Sequence, residues 1–170
     1  MENTMRTIRI EKLTLNFGAG KDQSRLDKGI KLIKNITGKS PIKTITQKRI
    51  AGWGLRPGLP VGCKLTLRKN PNELIKRLLM AKDNKLTPNN FDDNGNVSFG
   101  LHEYIDIPGV KYDPEIGIMG FEVSLTLERP GFRIKRRKIE KKKIPYKHKI
   151  SKQEAMDYFI KEFNLKIEEE

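Results

Sequence analysis

The sequence predicts an α+β fold: a mostly antiparallel sheet with helices packed on one face. Two observations carry this. Segments of alternating apolar and polar residues recur between segments of helical period, in the order β-α-β-β-α-β-β-α. Most of the connections are short, which favours antiparallel neighbours around one shared core. A chain of 170 residues is long enough to bury such a core. It reads as a single domain over residues 1–170, with a basic extension at about 130–149 and a C-terminal helix at about 151–163.

Residues 6–17 alternate through Ile8, Ile10, Leu13, Leu15 and Phe17, with one phase slip at Glu11–Lys12. That is a strand with a bulge, ended by the tight turn Gly18-Ala19-Gly20. Residues 22–37 carry Leu26, Ile30 and Ile33 at helical spacing, with Asp22 or Ser24 to cap the start and Gly38 the end. Residues 42–50 form a strand, 51–60 a Gly/Pro loop, and 61–68 a second strand with Val61, Cys63, Leu65 and Leu67 on one face. The two strands make a hairpin with a long tip. Asn70 is placed to cap a helix over 71–82, whose first turn takes Pro71. Asp92–Asn96 is a turn cluster, 97–107 a strand, 108–120 a loop, and 119–127 a strand alternating through Phe121, Val123, Leu125 and Leu127. Ser151 and Glu154 form a capping box that opens a helix to about Phe163, and Glu168–Glu170 fray.

The chain carries 35 Lys and Arg against 21 Asp and Glu, a formal charge of +14. The charge is segregated: residues 1–70 are net +12, residues 71–132 net −4, and residues 133–170 net +6. From Lys39 to Arg68 there is no acidic residue, while Arg133–Lys143 holds eight basic residues and one acidic. Basic regions of this density match a polyanion, because Lys and Arg release the counterions condensed on phosphates. The acidic middle avoids phosphate and suits a basic protein. No apolar run approaches the roughly 18 residues of a membrane span. The start, MENTMRTIRI, lacks the apolar centre of a secretory signal. The expectation is a soluble intracellular protein with no membrane partner.

Catalytic arrangements are not found. Gly18-Ala19-Gly20 before a helix is half of a dinucleotide fingerprint, and no GxxxxGK[ST] loop is present. Read as a calcium loop, the 92–96 turn lacks the bidentate acid at its twelfth position, which is Leu101. Cys63 falls on the apolar phase of its strand, and with His102 and His148 far away it predicts no metal site. No cofactor and no enzymatic activity are expected. Trp53, the only tryptophan, sits between Gly52 and Gly54 in the loop, where its indole can stack on a base or pack on a ribose. Lys43, Lys48, Arg49, Lys64, Arg68, Arg133, Arg136 and Arg137 are candidates for phosphate contact.

Several motifs join into a resemblance. They are Leu15–Gly20, Thr37–Pro41, the long stretch Ala51–Arg68 with its R-x-G-x-P-x-G-x-K-x-T-L-R pattern, Phe91–Asn96, and Gly100, Glu103 and Pro108 to Asp113. Together they resemble the universal large-subunit ribosomal protein family that binds 5S ribosomal RNA, over essentially the whole chain. The basic Arg133–Lys143 extension looks like the archaeal and eukaryotic branch.

The resemblance implies a cytoplasmic, ribosomal protein that anchors 5S rRNA in the central protuberance and also meets large-subunit rRNA. It implies contacts to 5S rRNA from Asn16, Lys39, Trp53 and Thr66. The family often has Gln at the position of Lys39 and Phe at that of Trp53, so Lys39 would meet phosphate instead of reading a base. The loop holding Leu55, Arg56, Pro57, Gly58 and Leu59 corresponds to one that reaches P-site tRNA. Neighbouring ribosomal proteins, among them a small-subunit protein across the subunit bridge, complete the implied partners, and the acidic 71–132 region is the candidate surface for the bridge. The alternative is a free-standing RNA-binding module or RNA chaperone, and a nucleotide-using enzyme built on the Gly18–Gly20 turn is a third reading.

Overall fold

The computed structural model describes residues 3–168. Its centre is a five-stranded antiparallel sheet made of β1 (Arg9–Gly18), β2 (Ile42–Ile45), β3 (Pro60–Leu67), β5 (Val97–Leu101) and β6 (Phe121–Glu128), in the order β2-β3-β1-β6-β5. Between β1 and β2 runs α1 (Gln23–Thr37), after β3 runs α2 (Asn72–Met80), and after β6 comes α3 (Lys152–Phe163). A two-residue strand β4 (Lys85–Leu86) pairs in parallel with β7 (Lys166–Ile167).

Alternation sorts the strands into two faces. Leu13, Leu15 and Phe17 of β1, Cys63 and Leu65 of β3, and Phe121, Val123, Leu125 and Leu127 of β6 are buried in one continuous core. The same core takes Leu26, Ile33 and Ile36 of α1, Ile75, Leu78 and Leu79 of α2, and Ala155 and Phe159 of α3. All three helices therefore supply this face. Asp22 caps α1 through its carboxylate, which accepts from the amides of Ser24 and Arg25, and this holds the carboxyl below its usual range. Gly29 lets α1 lie directly on β1: a Cβ there would stand 2.2 Å from the Phe17 ring. Cys63 is fully buried, and loss of solvent pushes its thiol up to about 11. A thiol reagent at pH 8 is expected to label it only as fast as the chain unfolds; rapid labelling of the folded protein would contradict this burial.

The bulge falls where the phase slip placed it: the β1–β6 register shifts between Ile10 and Lys12. Both helix ends of α1 and the capping box of α3 also match the sequence. Four expectations are corrected, and one strand pair is added. The strand over 42–50 stops at Ile45, because Thr46 turns its amide and hydroxyl onto the Leu59 carbonyl. The strand over 97–107 stops at Leu101. There Gly120 presses so close that a Cβ would lie 2.4 Å from the Leu101 carbonyl oxygen and 2.6 Å from that of His102. The chain then turns, burying Tyr104, whose hydroxyl accepts from the Asp113 amide. Asn70 adopts φ 46° and does not cap α2, which starts from Pro71 without a side-chain cap. The β4–β7 pair has no counterpart among the sequence expectations, since two residues carry no period. Glu168 is not frayed: its amide bonds the Leu86 carbonyl and its carboxylate pairs with Lys85 at 2.7 Å. The rest of that expected fraying, at 169–170, lies outside the described residues.

The 102–120 excursion is tied to α1 by Lys31, whose ammonium pairs with Asp113 at 2.9 Å and with Glu115. The pairing raises the Lys31 pKa and lowers that of Asp113. Among the described residues, no helix is long and apolar enough to cross a membrane.

Candidate nucleic-acid interface

Among the described residues, none of the three α-helices packs on the second face of the sheet. Cross-strand partners show what it presents. Asn16 stands opposite Lys64 on one side and Glu122 on the other, and Thr14 lies between Thr66 and Ser124. Ser98 pairs with Ser124, Gly100 with Glu122, and Ile42 with Lys64. Side chains directly opposite each other share a face. The open face is thus a field of small polar residues and glycine that also carries Lys12, Lys64 and Glu122, with Ile42 as its exposed apolar rim.

Of the four residues implied for RNA contact, the structure brings two together. Asn16 and Thr66 lie on the open face of adjacent strands, two residue pairs apart along the β1–β3 ladder. The Asn16 amide donates to Glu122 Oε2 at 3.1 Å, which fixes its orientation and leaves its carbonyl free to accept. Trp53 and Lys39 lie at opposite ends of the β2–β3 hairpin. Lys39 precedes β2 and lines a cleft with Lys69, Asn70 and Arg77. Trp53 ends a one-turn helix, Ala51–Trp53, at the hairpin tip and is 71% exposed. The four therefore do not converge on one spot: Asn16 lies on the central strand, Thr66 on its neighbour, and Lys39 and Trp53 beyond the two ends of the hairpin.

The tip itself is built. Ile50 and Leu55 exchange backbone hydrogen bonds at 3.0 Å, Gly54 closes the small helix in a left-handed conformation, and the Gly58 amide bonds the Thr46 carbonyl. Leu55 is buried and anchors this loop, whereas Arg56, Pro57 and Gly58 are exposed and Leu59 is half-buried. Trp53 is thereby held out in solvent by an ordered support, an arrangement that costs apolar exposure unless a partner covers the ring.

The phosphate candidates divide. Lys48, Arg49, Lys64, Arg68 and Arg133 are exposed and, among the described residues, have no ion pair. Lys43 points to the helix side of β2, 3.7 Å from Asp27 of α1. Arg137 turns back on the Glu140 carbonyl at 2.9 Å. Arg136 is spent internally: it donates to Glu128 at 2.7 Å and to Glu11, the residue that the bulge inserts. Arg9 completes that cluster by pairing with Glu128 at 2.7 Å.

This cluster explains the extension, which sequence reasoning left without a support. After β6, Phe132 enters the core, one short helical turn spans Phe132–Lys135, and the chain returns along an irregular strap to α3. Arg129, only 4% exposed, donates to the Lys149 carbonyl at 3.0 Å and to Glu154 at 2.7 Å, closing the far end of the strap. His148 meets the Pro130 carbonyl at 2.9 Å. The strap is therefore a fixed cationic rim. Sequence reasoning also missed the extent of the open face, although strand alternation contained it: Thr14, Thr66, Ser98, Ser124 and Thr126 occupy the phase opposite to the core residues.

No group of three or more His, Cys, Asp or Glu that could hold a metal occurs among the described residues.

Two family models match the chain. One, described as ribosomal protein L5, covers residues 3–56, and the other, described as the C-terminus of the same ribosomal family, covers residues 60–158. Together they span β1 through most of α3. Among similar proteins is the large ribosomal subunit protein uL5 of Nanoarchaeum equitans, 46% identical over 98% of this chain and 99% of its own length. The proteins of the same name from Sulfurisphaera tokodaii and Methanosphaera stadtmanae are 45% and 41% identical, each over 98% of this chain and over 96% and 99% of their own lengths. With both halves matched and archaeal relatives aligned end to end, the chain belongs to the ribosomal protein L5 family and is of the archaeal type.

Proposed function

We propose that this protein grips 5S rRNA with its open sheet face, as a constituent of the large ribosomal subunit. Membership of the family supports a structural, non-enzymatic ribosomal protein of the cytoplasm, with rRNA and ribosomal proteins as neighbours. The single observation that carries the finer reading is the uncovered sheet face. It sets Asn16, Lys64 and Thr66 side by side and is flanked by an exposed, supported Trp53. Binding of this kind is an equilibrium: lysines and arginines supply salt-dependent affinity, and Asn16, Thr66 and the indole supply fit to one RNA shape.

The same reading gives the exposed Arg56-Pro57-Gly58 tip to P-site tRNA, the strap to large-subunit rRNA, and the acidic 71–132 region, where Asp106 is exposed, to a small-subunit protein across the bridge. Trp53→Ala is expected to weaken 5S rRNA binding by about 1–3 kcal/mol, the usual worth of an aromatic–base contact. Filter binding at fixed salt checks this, and an unchanged dissociation constant would remove Trp53 from the interface. A free-standing RNA module would bind 5S rRNA and a tRNA of similar length alike, so the same assay at two salt concentrations separates that alternative.

A further inference from the structure

The Asp92–Asn96 turn and the strap's lysines have so far been placed only by region. The fold brings them together. Gly95 packs its backbone against Ile150, close enough that a Cβ would stand 2.7 Å from Ile150 Cγ2. Between turn and strap lies a cleft of about 420 Å³, within the range of small-molecule sites. Leu127, Phe132, Ile144 and Ile150 give it an apolar floor, of which Ile144 alone is more than slightly exposed, and Lys135, Lys143 and Lys149 line it together with Asn94 and Asn96.

These groups are free to meet a ligand. Among the described residues, none of the three lysines makes an ion pair; Lys135 rests over the Phe132 ring, 4.9 Å from its centre. Of the two acids of the turn, neither of which lines the cleft, Asp92 accepts from the amides of Asn94 and Asn96 and from the Asn96 side chain, and Asp93 is exposed. The Asn94 side chain is exposed and, among the described residues, makes no hydrogen bond. The walls are held from outside by the Arg136 and Arg129 pairs, so the cleft exists before anything enters.

We propose that this cleft receives a single RNA nucleotide drawn out of its strand, with the base on the apolar floor and its phosphate among Lys135, Lys143 and Lys149. Three cations alone would suit any anion. The apolar floor and an unspent carboxamide add what a base needs: a dry surface and a donor–acceptor pair for its edge. The source of the nucleotide, RNA, rests on the reading above; the pocket chemistry does not.

The test is a titration of the ¹⁵N-labelled full chain with the four nucleoside 5′-monophosphates, the corresponding nucleosides and inorganic phosphate. The expected result is saturable shifts of the Asn94 side chain and of the Gly95 and Lys143 amides by at least one monophosphate, about tenfold tighter than by its nucleoside or by phosphate, as a charge-assisted contact combined with base burial requires. Lys135→Ala/Lys143→Ala should lose about the same factor, and Lys143→Ala alone, at an exposed position, keeps the test open if the double variant disturbs Phe132. No saturable shift, or phosphate acting as well as a monophosphate, would overturn the proposal. The Lys64→Glu/Thr66→Glu variant of the open face should titrate like the parent protein, so failure of the cleft and failure of the sheet-face reading give different results.

Discussion

Replacing Lys64 and Thr66 together by glutamate is expected to abolish measurable 5S rRNA binding at physiological salt while leaving the protein folded. Both side chains project from β3 on the uncovered face, beside Asn16 and Thr14 of β1. The change removes one cation and installs two anions where a phosphate backbone is expected to lie. A lost charge-assisted contact is worth about 1.5–3 kcal/mol, and repulsion at the two new carboxylates adds to it, so the affinity should fall at least about a hundredfold. The core is untouched, since Cys63 and Leu65 face the opposite way. Thermal unfolding should therefore shift little, and filter binding should report the loss. Retained affinity in a folded variant would move the RNA off this face.

Arg129→Ala is the largest expected effect on stability. Its guanidinium is enclosed, bonds the Lys149 carbonyl and Glu154, and has its Nε without a partner. Removing it breaks both bonds that close the strap and leaves a cavity beside the core. The cost should be about 2–4 kcal/mol, the scale of a broken buried pair, tempered because Glu154 can rehydrate. Arg129→Met keeps the volume and no longer buries an unpaired donor, so it should cost less than alanine. Urea unfolding measures both, and hydrogen exchange should show residues 131–150 opening first.

The same pair predicts a pH dependence. Burial works against the Glu154 carboxylate, but the Ser151 amide and Arg129 outweigh it and hold its pKa below the usual carboxylate range. A depressed carboxyl stabilises the fold above its unfolded pKa, and this contribution is lost as pH falls through the folded value. The stability gap between the parent protein and Glu154→Gln should therefore be full at neutral pH and close in acid.

Much of this fold is legible because its signals are periodic. Leu13, Leu15 and Phe17 alternate, Leu26 and Ile33 repeat at helical spacing, and Asp22, Gly38 and Ser151 mark helix ends by their own chemistry. Even the bulge is visible, since an inserted residue breaks the phase at Glu11. The features that escape sequence reasoning depend on distant partners. The strand after Val97 looks continuous, but Gly120 closes on it from elsewhere in the chain. β4 and β7 exist only because they meet each other.

The candidate site divides in the same way. Trp53, Asn16 and Thr66 can be named from motifs, and the open face follows from strand alternation once the core face is known. Arg136 cannot be placed that way. In sequence it is one of eight basic residues in a run, and only the fold shows it turned inward onto Glu11 and Glu128. The lysines that line the cleft beside the 92–96 turn are hidden for a related reason: their shared cavity joins segments about forty residues apart.

The central claim is that RNA occupies the uncovered face of the sheet. Amide spectra of the labelled chain, free and bound to 5S rRNA, test it directly. The account predicts that Asn16, Lys64, Thr66 and Trp53 shift on binding, while the outer surfaces of α1 and α2 do not. Shifts confined to those helices, with the strands unchanged, would contradict it.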